Sequence, residues 1–273
     1  TELIDNKQKP QLAELSIDAS TELPYSDYTR TLDIDNAIHT VMYKENGITF
    51  KREYFMSYPD NVMVMRLTSD SKKGKLSRII SLESLHTDKT ITADSHTITM
   101  TGYPTPVSGD KRVGDAWKNG LKYAQQLVVK NKGGKISVVD GTKLKVEDAD
   151  EIIVLMSAAT NYVQCMDDSY NYFSQEDPLE KVQAMLHKVA DKKYTALLAT
   201  HQKDYHSLYD RMRLNLGNLP EAPVAPTDSL LKGMDENTNS EQENQYLEML
   251  YFQFGRYLLI SSTRVGLLPP NLQ

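Results

Sequence analysis

The chain has 273 residues, 40% of them apolar and 25% charged, which fits a globular protein of one large or two modest domains. A net charge of −6 and a pI near 5.6 argue against a nucleic-acid partner, which selects a basic surface. No run approaches the roughly 18 consecutive apolar residues of a membrane span, and the one cysteine, Cys165, excludes an internal disulfide and a thiolate zinc cluster.

The first 165 residues read as β-structure. "AIHTVMYKENGITFKREYFMSY" holds two alternating runs around Asn46-Gly47, a dipeptide suited to a type I′ hairpin because both central residues need positive φ. Ile48, Phe50, Arg52 and Tyr54 then share one face. "NVMVMRL" follows the turn signal Pro59-Asp60, and further strands are predicted over 76–83, 90–93, 97–101, 121–130, 135–140 and 143–147, the last two joined by Asp140-Gly141. "EIIVLMSA", residues 151–158, is continuously apolar and belongs in the middle of a sheet. Roughly ten short strands with no helix between them predict a large antiparallel β-sandwich.

From Pro178 the period changes to that of a helix, with Leu179, Val182, Met185, Leu186 and Val189 at three- and four-residue spacing. Asp177 caps it, and Pro178 takes the first position. A second helix is predicted over 194–213, carrying Leu197, Leu198, His201, Tyr205, Leu208 and Met212 along one stripe. Gly217 and the proline-rich "LPEAPVAP" close it. A short helix follows at 227–233. The last, over 242–262, carries Tyr246, Leu247, Leu250, Tyr251, Phe254, Tyr257, Leu258 and Leu259, a stripe wide enough to imply burial on two sides. The expected organisation is a β-sandwich domain over 1–165, a helical linker over 166–226, and the start of something larger over 227–273.

The candidate chemical residues are few. His201 and His206 are five apart, which misses the four-residue spacing of two metal ligands on one helix face, so no metal site is expected. His201 and Asp204 share a face and suit a hydrogen bond that fastens the helix to its neighbour. Asp148, Asp150 and Glu151, and likewise Asp167 and Asp168, are clustered carboxylates of the kind that glycoside hydrolysis needs in pairs, although carboxylates on a turn are usually solvated. "GDKRVGDAWKNG" lacks the spacing of a phosphate loop. Within it Trp117, the only tryptophan, is a candidate to stack on a sugar face.

Several segments together carry a resemblance. "YTRTLDIDNAIHTVMYKENGITFKREYFMSYPDNVMVMRL", with Tyr28, Arg30, Leu32, Asp33 and then Arg52-Glu53-Tyr54-Phe55, resembles the N-terminal domain of family 95 glycoside hydrolases, the α-L-fucosidase and α-L-galactosidase family. "ADEIIVLMSAATNY" is similar to that family's last β-strand, and "HQKDYHSLYDRMRLNLG" to its linker helix, through His201, Asp204-Tyr205, Arg211 and Leu216-Gly217. The closing "YFQFGRYLLISSTRVGLLPPNLQ" resembles its Gly-Arg-Tyr-Leu-Leu-Ile stretch and its Pro-x-Asn-Leu-Gln loop, though Thr263, Arg264 and Val265 depart from the commoner pattern.

The resemblance implies a mainly β plus α chain: the sandwich, linker helices, and the first helix of an incomplete (α/α)6 barrel. On that reading the chain is the front portion of a longer hydrolase, trimmed at its N-terminus, and its last helix looks unpartnered because the barrel lies downstream. The family's inverting chemistry uses a glutamic acid as proton donor and a water activated by asparagines and an aspartate. All of these lie in barrel segments beyond Gln273, so no catalytic residue is expected here. Asn271 and Gln273 match a loop beside the barrel cup and are expected near substrate. No cofactor is implied. The implied partners are a fucosylated or L-galactosylated glycan and the missing barrel, with self-association of the exposed last helix, at a periplasmic or extracellular location. The rival expectation is a stand-alone carbohydrate-binding or protein-interaction module.

Overall fold

Apolar alternation dictates which strands can face each other, and the sheets follow it closely. The computed structural model describes residues 13–19, 24–72, 76–104, 120–163, 172–216 and 225–264. The chain divides into two units, one of residues 1–31 and 39–200 and one of residues 32–38 and 201–273.

The first unit holds β1 (Glu14–Ala19), β2 (Tyr25–Asp33, its last residues passing into the second unit), β3 (Ile38–Glu45), β4 (Ile48–Ser57), β5 (Val62–Ser69) and β6 (Leu76–Glu83). It continues with β7 (Lys89–Asp94), β8 (Thr97–Gly102), β9 (Tyr123–Lys132), β10 (Lys135–Val139), β11 (Lys143–Ala149) and β12 (Glu151–Thr160). They form a four-stranded sheet, β1-β6-β11-β10, and an eight-stranded sheet, β2-β3-β4-β5-β12-β9-β8-β7. The strand pairs for which a register is resolved are all antiparallel. Asn46 and Gly47 take φ of 50° and 75°, and Asp140 and Gly141 φ of 52° and 64°, so both expected hairpin dipeptides adopt the left-handed backbone that a type I′ turn requires. The sandwich is therefore as predicted, but β1 and β2 are strands that alternation did not reveal.

Ile80 and Leu144 from the smaller sheet meet Leu127, Ile152 and Val154 from the larger in one fully buried cluster. The other face of the larger sheet is covered by α1 (Pro178–Val189) and the start of α2 (Tyr194–Tyr209). Val182, Leu186, Val189 and Leu197 pack there on Phe55, Val64 and Leu155. This explains the continuous apolar run of β12: it lies between β5 and β9 and is buried on both faces. Helix α1 begins as expected, with Pro178 at its first position and the Asp177 carboxylate accepting from Leu179 N–H at 3.0 Å. Each of its fully buried side chains contributes about 1.5–3 kcal/mol of transfer free energy.

The second unit contains the 32–38 turn, residues 201–209 of α2, α3 (Thr227–Asp235) and α4 (Glu241–Ser262). Helix α4 opens with a reciprocal capping box: Ser240 Oγ accepts from Glu243 N–H, and the Glu243 carboxylate accepts from Ser240 N–H at 2.7 Å. Two expectations change here. Helix α2 stops at Tyr209 rather than continuing to residue 213. Among the residues of α4 only Leu247 is buried, and Tyr251, Phe254, Leu258 and Leu259 are exposed, so half of the wide apolar stripe faces solvent.

Candidate functional site

The densest polar and aromatic cluster of the second unit forms where the 32–38 turn meets α2. Asp33 shapes the turn: its carboxylate accepts from Asn36 N–H at 3.1 Å and from Asn36 Nδ2 at 2.8 Å, a local alternative to regular pairing that aspartate favours. That leaves successive carbonyls pointing outward, and α2 supplies their donors. His201 Nε2 lies 3.1 Å from Asn36 O and 3.2 Å from Ala37 O, Tyr205 donates its hydroxyl to Ile34 O at 2.7 Å, and His206 Nε2 lies 3.0 Å from Asp35 O. A carbonyl only accepts, so this geometry places the proton on Nε2 of both histidines. Gln202 Nε2 adds a bond to Asn36 Oδ1 at 3.0 Å.

The four-residue helical spacing stacks His201, Tyr205 and Tyr209 in a column, with ring centroids 6.3 and 5.1 Å apart. Tyr257 of α4 meets Tyr205 edge-on at 6.5 Å. Arg256 lies over the Tyr209 ring at 4.7 Å and donates from Nη2 to Tyr209 O at 2.7 Å. Arg264 pairs with Asp204 at 2.9 Å, both largely shielded from solvent. Burial, reinforced by the Asp35 carboxylate, pushes the Tyr209 phenol up to about 12. Burial, with Tyr209 and Tyr257 alongside, raises Tyr205 as well. Both phenols stay protonated at neutral pH and act as hydrogen-bond donors or packing rings, not as bases. The cluster is a clasp, with its donors directed at main-chain carbonyls.

The other expected residues fall as follows. Glu151 is tied to Arg66 at 2.6 Å, Arg66 also reaches Glu53 at 3.5 Å, and Lys51 meets Glu53 at 2.8 Å, with Arg66 lying 4.6 Å over the Tyr194 ring. This is a charge-compensated network that ties β4, β5 and β12 together within the first unit. Burial, followed by the Glu53 carboxylate, pushes the Tyr194 phenol up to about 12. Asp148 has a left-handed backbone, φ 55°, and its N–H donates to Ser77 Oγ at 3.1 Å; Asp150 N–H donates to Lys132 O at 2.7 Å. Asp148 sits at the register irregularity near the end of β11, and Asp150 in the bend between β11 and β12. His201 and Asp204 share a face but engage separate partners, the Asn36 and Ala37 carbonyls and Arg264. Trp117, Cys165, Asp167, Asp168, Asn271 and Gln273 lie outside the described residues, as does the "GDKRVGDAWKN" stretch.

An open groove of about 390 Å³ lies in the second unit, lined by Leu208, Arg211, Arg256, Leu259, Ile260 and Thr263. Sequence reasoning quoted Arg211, Arg256 and Asp33 only as parts of a resemblance and gave no groove and no Asp33–Asn36 turn. The available signals were the Asp-x-x-Asn spacing and the four-residue repeat His201, Tyr205, Tyr209.

Residues 3–165 match the sequence family described as "Glycosyl hydrolase family 65, N-terminal domain", and residues 193–273 match "Glycosyl hydrolase family 95 catalytic domain". The chain is 31% identical over 268 residues to "Probable alpha-fucosidase A" of Aspergillus niger, covering 96% of this chain and 32% of that protein. It is 33% identical over 263 residues to "Alpha-L-fucosidase 2" of Arabidopsis thaliana, covering 91% of this chain and 30% of that protein. A second "Probable alpha-fucosidase A", from Aspergillus oryzae, is 28% identical over 96% of this chain and 35% of its own length. The chain thus spans about a third of the length of the curated relatives it matches. The three stretches that build the clasp, the 32–38 turn, α2 and α4, fall within the matched residues, and the chain belongs to the glycoside hydrolases whose first domain is of the family 65 N-terminal type, while its residues 193–273 match the family 95 catalytic domain.

Proposed function

We propose that this chain is the non-catalytic front portion of an inverting α-L-fucosidase-type glycoside hydrolase, a scaffold that is inactive without the downstream barrel. The observation that carries this reading is the clasp. Residues of the second unit that resemble family 95 text, Asp33, His201, Asp204, Tyr205 and Arg256, are engaged in main-chain contacts and, for Asp204, an ion pair with Arg264, contacts that hold elements together. The coverage of about a third of each relative supports the same reading. The substrate is a fucosylated or L-galactosylated glycan, and the protein acts outside the cytoplasm. Residues 227–273 form the start of the barrel, with Asn271 and Gln273 at its cup and Trp117 stacking on sugar.

The exposed apolar face of α4, Tyr251, Phe254, Leu258 and Leu259, is the surface that the barrel covers. In its absence this chain self-associates, which light scattering reads as oligomers that dissociate on dilution. A monomer at every concentration contradicts that part of the reading. The functional test is release of L-fucose from an α-1,2-linked fucosyl oligosaccharide by this chain and by a version extended to the length of the relatives. Release by the extended version only is the expected result. Release by the short chain overturns the reading.

A further inference from the structure

Among the described residues, two positive charges inside the sandwich have no acidic partner. Arg52 on β4 and Arg78 on β6 come from opposite sheets, and Arg78 is only 4% exposed while Arg52 is half-buried. Each donates from Nη2 to the Tyr43 hydroxyl at 3.1 Å, so the two donors lie within roughly 6 Å of each other. Arg78 Nη1 donates to its neighbour Ser77 O at 2.8 Å. Arg52 stands 5.4 Å over the Tyr43 ring and Arg78 5.1 Å over the Phe50 ring, with the Tyr54 hydroxyl also against Arg52. All of these contacts are neutral. Among the described residues neither arginine forms an ion pair, and both Nε atoms are buried without a hydrogen-bond partner. A buried charge is disfavoured unless an opposite charge compensates it, and aromatic faces recover only part of that cost.

The Tyr43 ring links this pair to the edge of the larger sheet. β2 is the outermost strand of the larger sheet, and its Tyr25 and Tyr28 are 66% and 54% exposed. The Tyr25 ring lies 6.4 Å from Tyr43, edge-on, and 6.0 Å from Tyr28. An exposed pair of phenol rings offers the flat apolar surface on which the C–H face of a pyranose lies. The planar Arg52 guanidinium, against the Tyr43 ring that Tyr25 approaches, has N–H groups that can donate to a carboxylate. Arg78 is sealed in, so Arg52 alone remains to meet a ligand, which matches a single negative charge.

We propose that the edge formed by Tyr25, Tyr28, Tyr43 and Arg52 binds a uronic-acid residue of a glycan, with the sugar ring on the tyrosines, the carboxylate on Arg52, and Arg78 adding positive potential from inside the sandwich. The anion half of this assignment rests on the arginines alone, whereas the sugar half rests on the glycan-directed function proposed above.

Calorimetric titration of the 273-residue chain with trigalacturonic acid, its methyl ester and acetate reads the site. The free acid binds saturably, and the ester, which keeps the rings but loses the charges, binds at least about tenfold more weakly. Acetate, which keeps the charge but lacks the rings, is weaker than the trisaccharide. Arg52→Gln lowers affinity for the acid at least about tenfold, and Tyr28→Ala, at an exposed position outside both cores, lowers it several-fold with an unchanged circular dichroism spectrum. Equal binding of acid and ester, an unchanged affinity in both variants, or no saturable binding of the acid overturns the proposal. Acetate as tight as the trisaccharide overturns the sugar assignment. No hydrolysis is read in this titration, so its failure is distinct from failure of the fucosidase reading, which appears as missing fucose release from the extended enzyme.

Discussion

The two units of this chain are held by different physics. The sandwich buries apolar side chains in two clusters, one between its sheets and one under α1, and its stability scales with area removed from water. In the second unit the buried hydrophobic residues among those described are Tyr205, Tyr209, Leu230 and Leu247, while Tyr251, Leu258 and Leu259 face solvent. What organises that unit is directional: histidine and tyrosine donors aimed at the carbonyls of one tight turn, a ring column, and two arginines. A core tolerates substitution in proportion to volume, whereas a clasp depends on particular atoms. The lesson is that the most recognisable text of this chain can be architectural: His201 and Asp204 suit a fastening role in the sequence, and in the structure they and Tyr205 fasten, each to a separate partner.

The contrast can be broken most directly in the sandwich core. Leu127→Ala removes a fully buried side chain between the sheets and should cost about 2–5 kcal/mol, read by urea unfolding and by faster amide exchange across the sandwich strands. A loss near zero would mean that apolar packing does not dominate there. Next comes Tyr205→Phe, which keeps the ring column but strips the donor from Ile34 O. Leaving that carbonyl unpaired should cost about 1–3 kcal/mol, with faster exchange confined to the second unit. An unchanged exchange rate would show that the ring, not the hydrogen bond, carries the contact.

Gly47→Ala sharpens the sandwich side. Nothing lies within 4 Å of the added methyl, so the expected cost of about 1 kcal/mol comes only from the positive φ of 75°. A larger loss would mean that the turn sets the register of β3 and β4.

The smallest effect is a pH slope. Burial, with Arg30 nearby for His39 and Lys89 for His86, holds both imidazoles below their usual value of 6.5. The unfolded chain then binds more protons than the folded one below that value, so the stability these residues contribute is complete above about pH 6.5 and falls as the pH drops toward their folded values. Urea midpoints measured between about pH 7.5 and 5.5 should decline, and His39→Gln with His86→Gln should flatten the decline. A steeper decline in the double variant would reverse the sign argued here.

Much of the sandwich was legible because its signals are local. Asn46-Gly47 and Asp140-Gly141 fix hairpins through backbone preference, and the unbroken apolar run of β12 reports burial on two faces. β2 was not legible: nearly every residue is exposed, Asp27 takes a φ of 52°, and an edge strand without a buried face carries no alternation. The end of α2 was overrun because Leu208 and Met212 continue the helical stripe, yet Met212 is 51% exposed and belongs to no core. The clasp was the least legible feature. His201 and its carbonyl partner Asn36 are 165 positions apart, and a carbonyl acceptor leaves no mark on the residue that bears it.

The central claim is that the family-like residues of this chain fasten it together and do not perform chemistry. The most direct test places Tyr205→Phe and His201→Gln in a version extended to the length of the curated relatives and measures kcat and KM for fucose release beside thermal stability. The account predicts a lowered Tm with kcat and KM per folded molecule essentially unchanged. A kcat that collapses while Tm holds would contradict it.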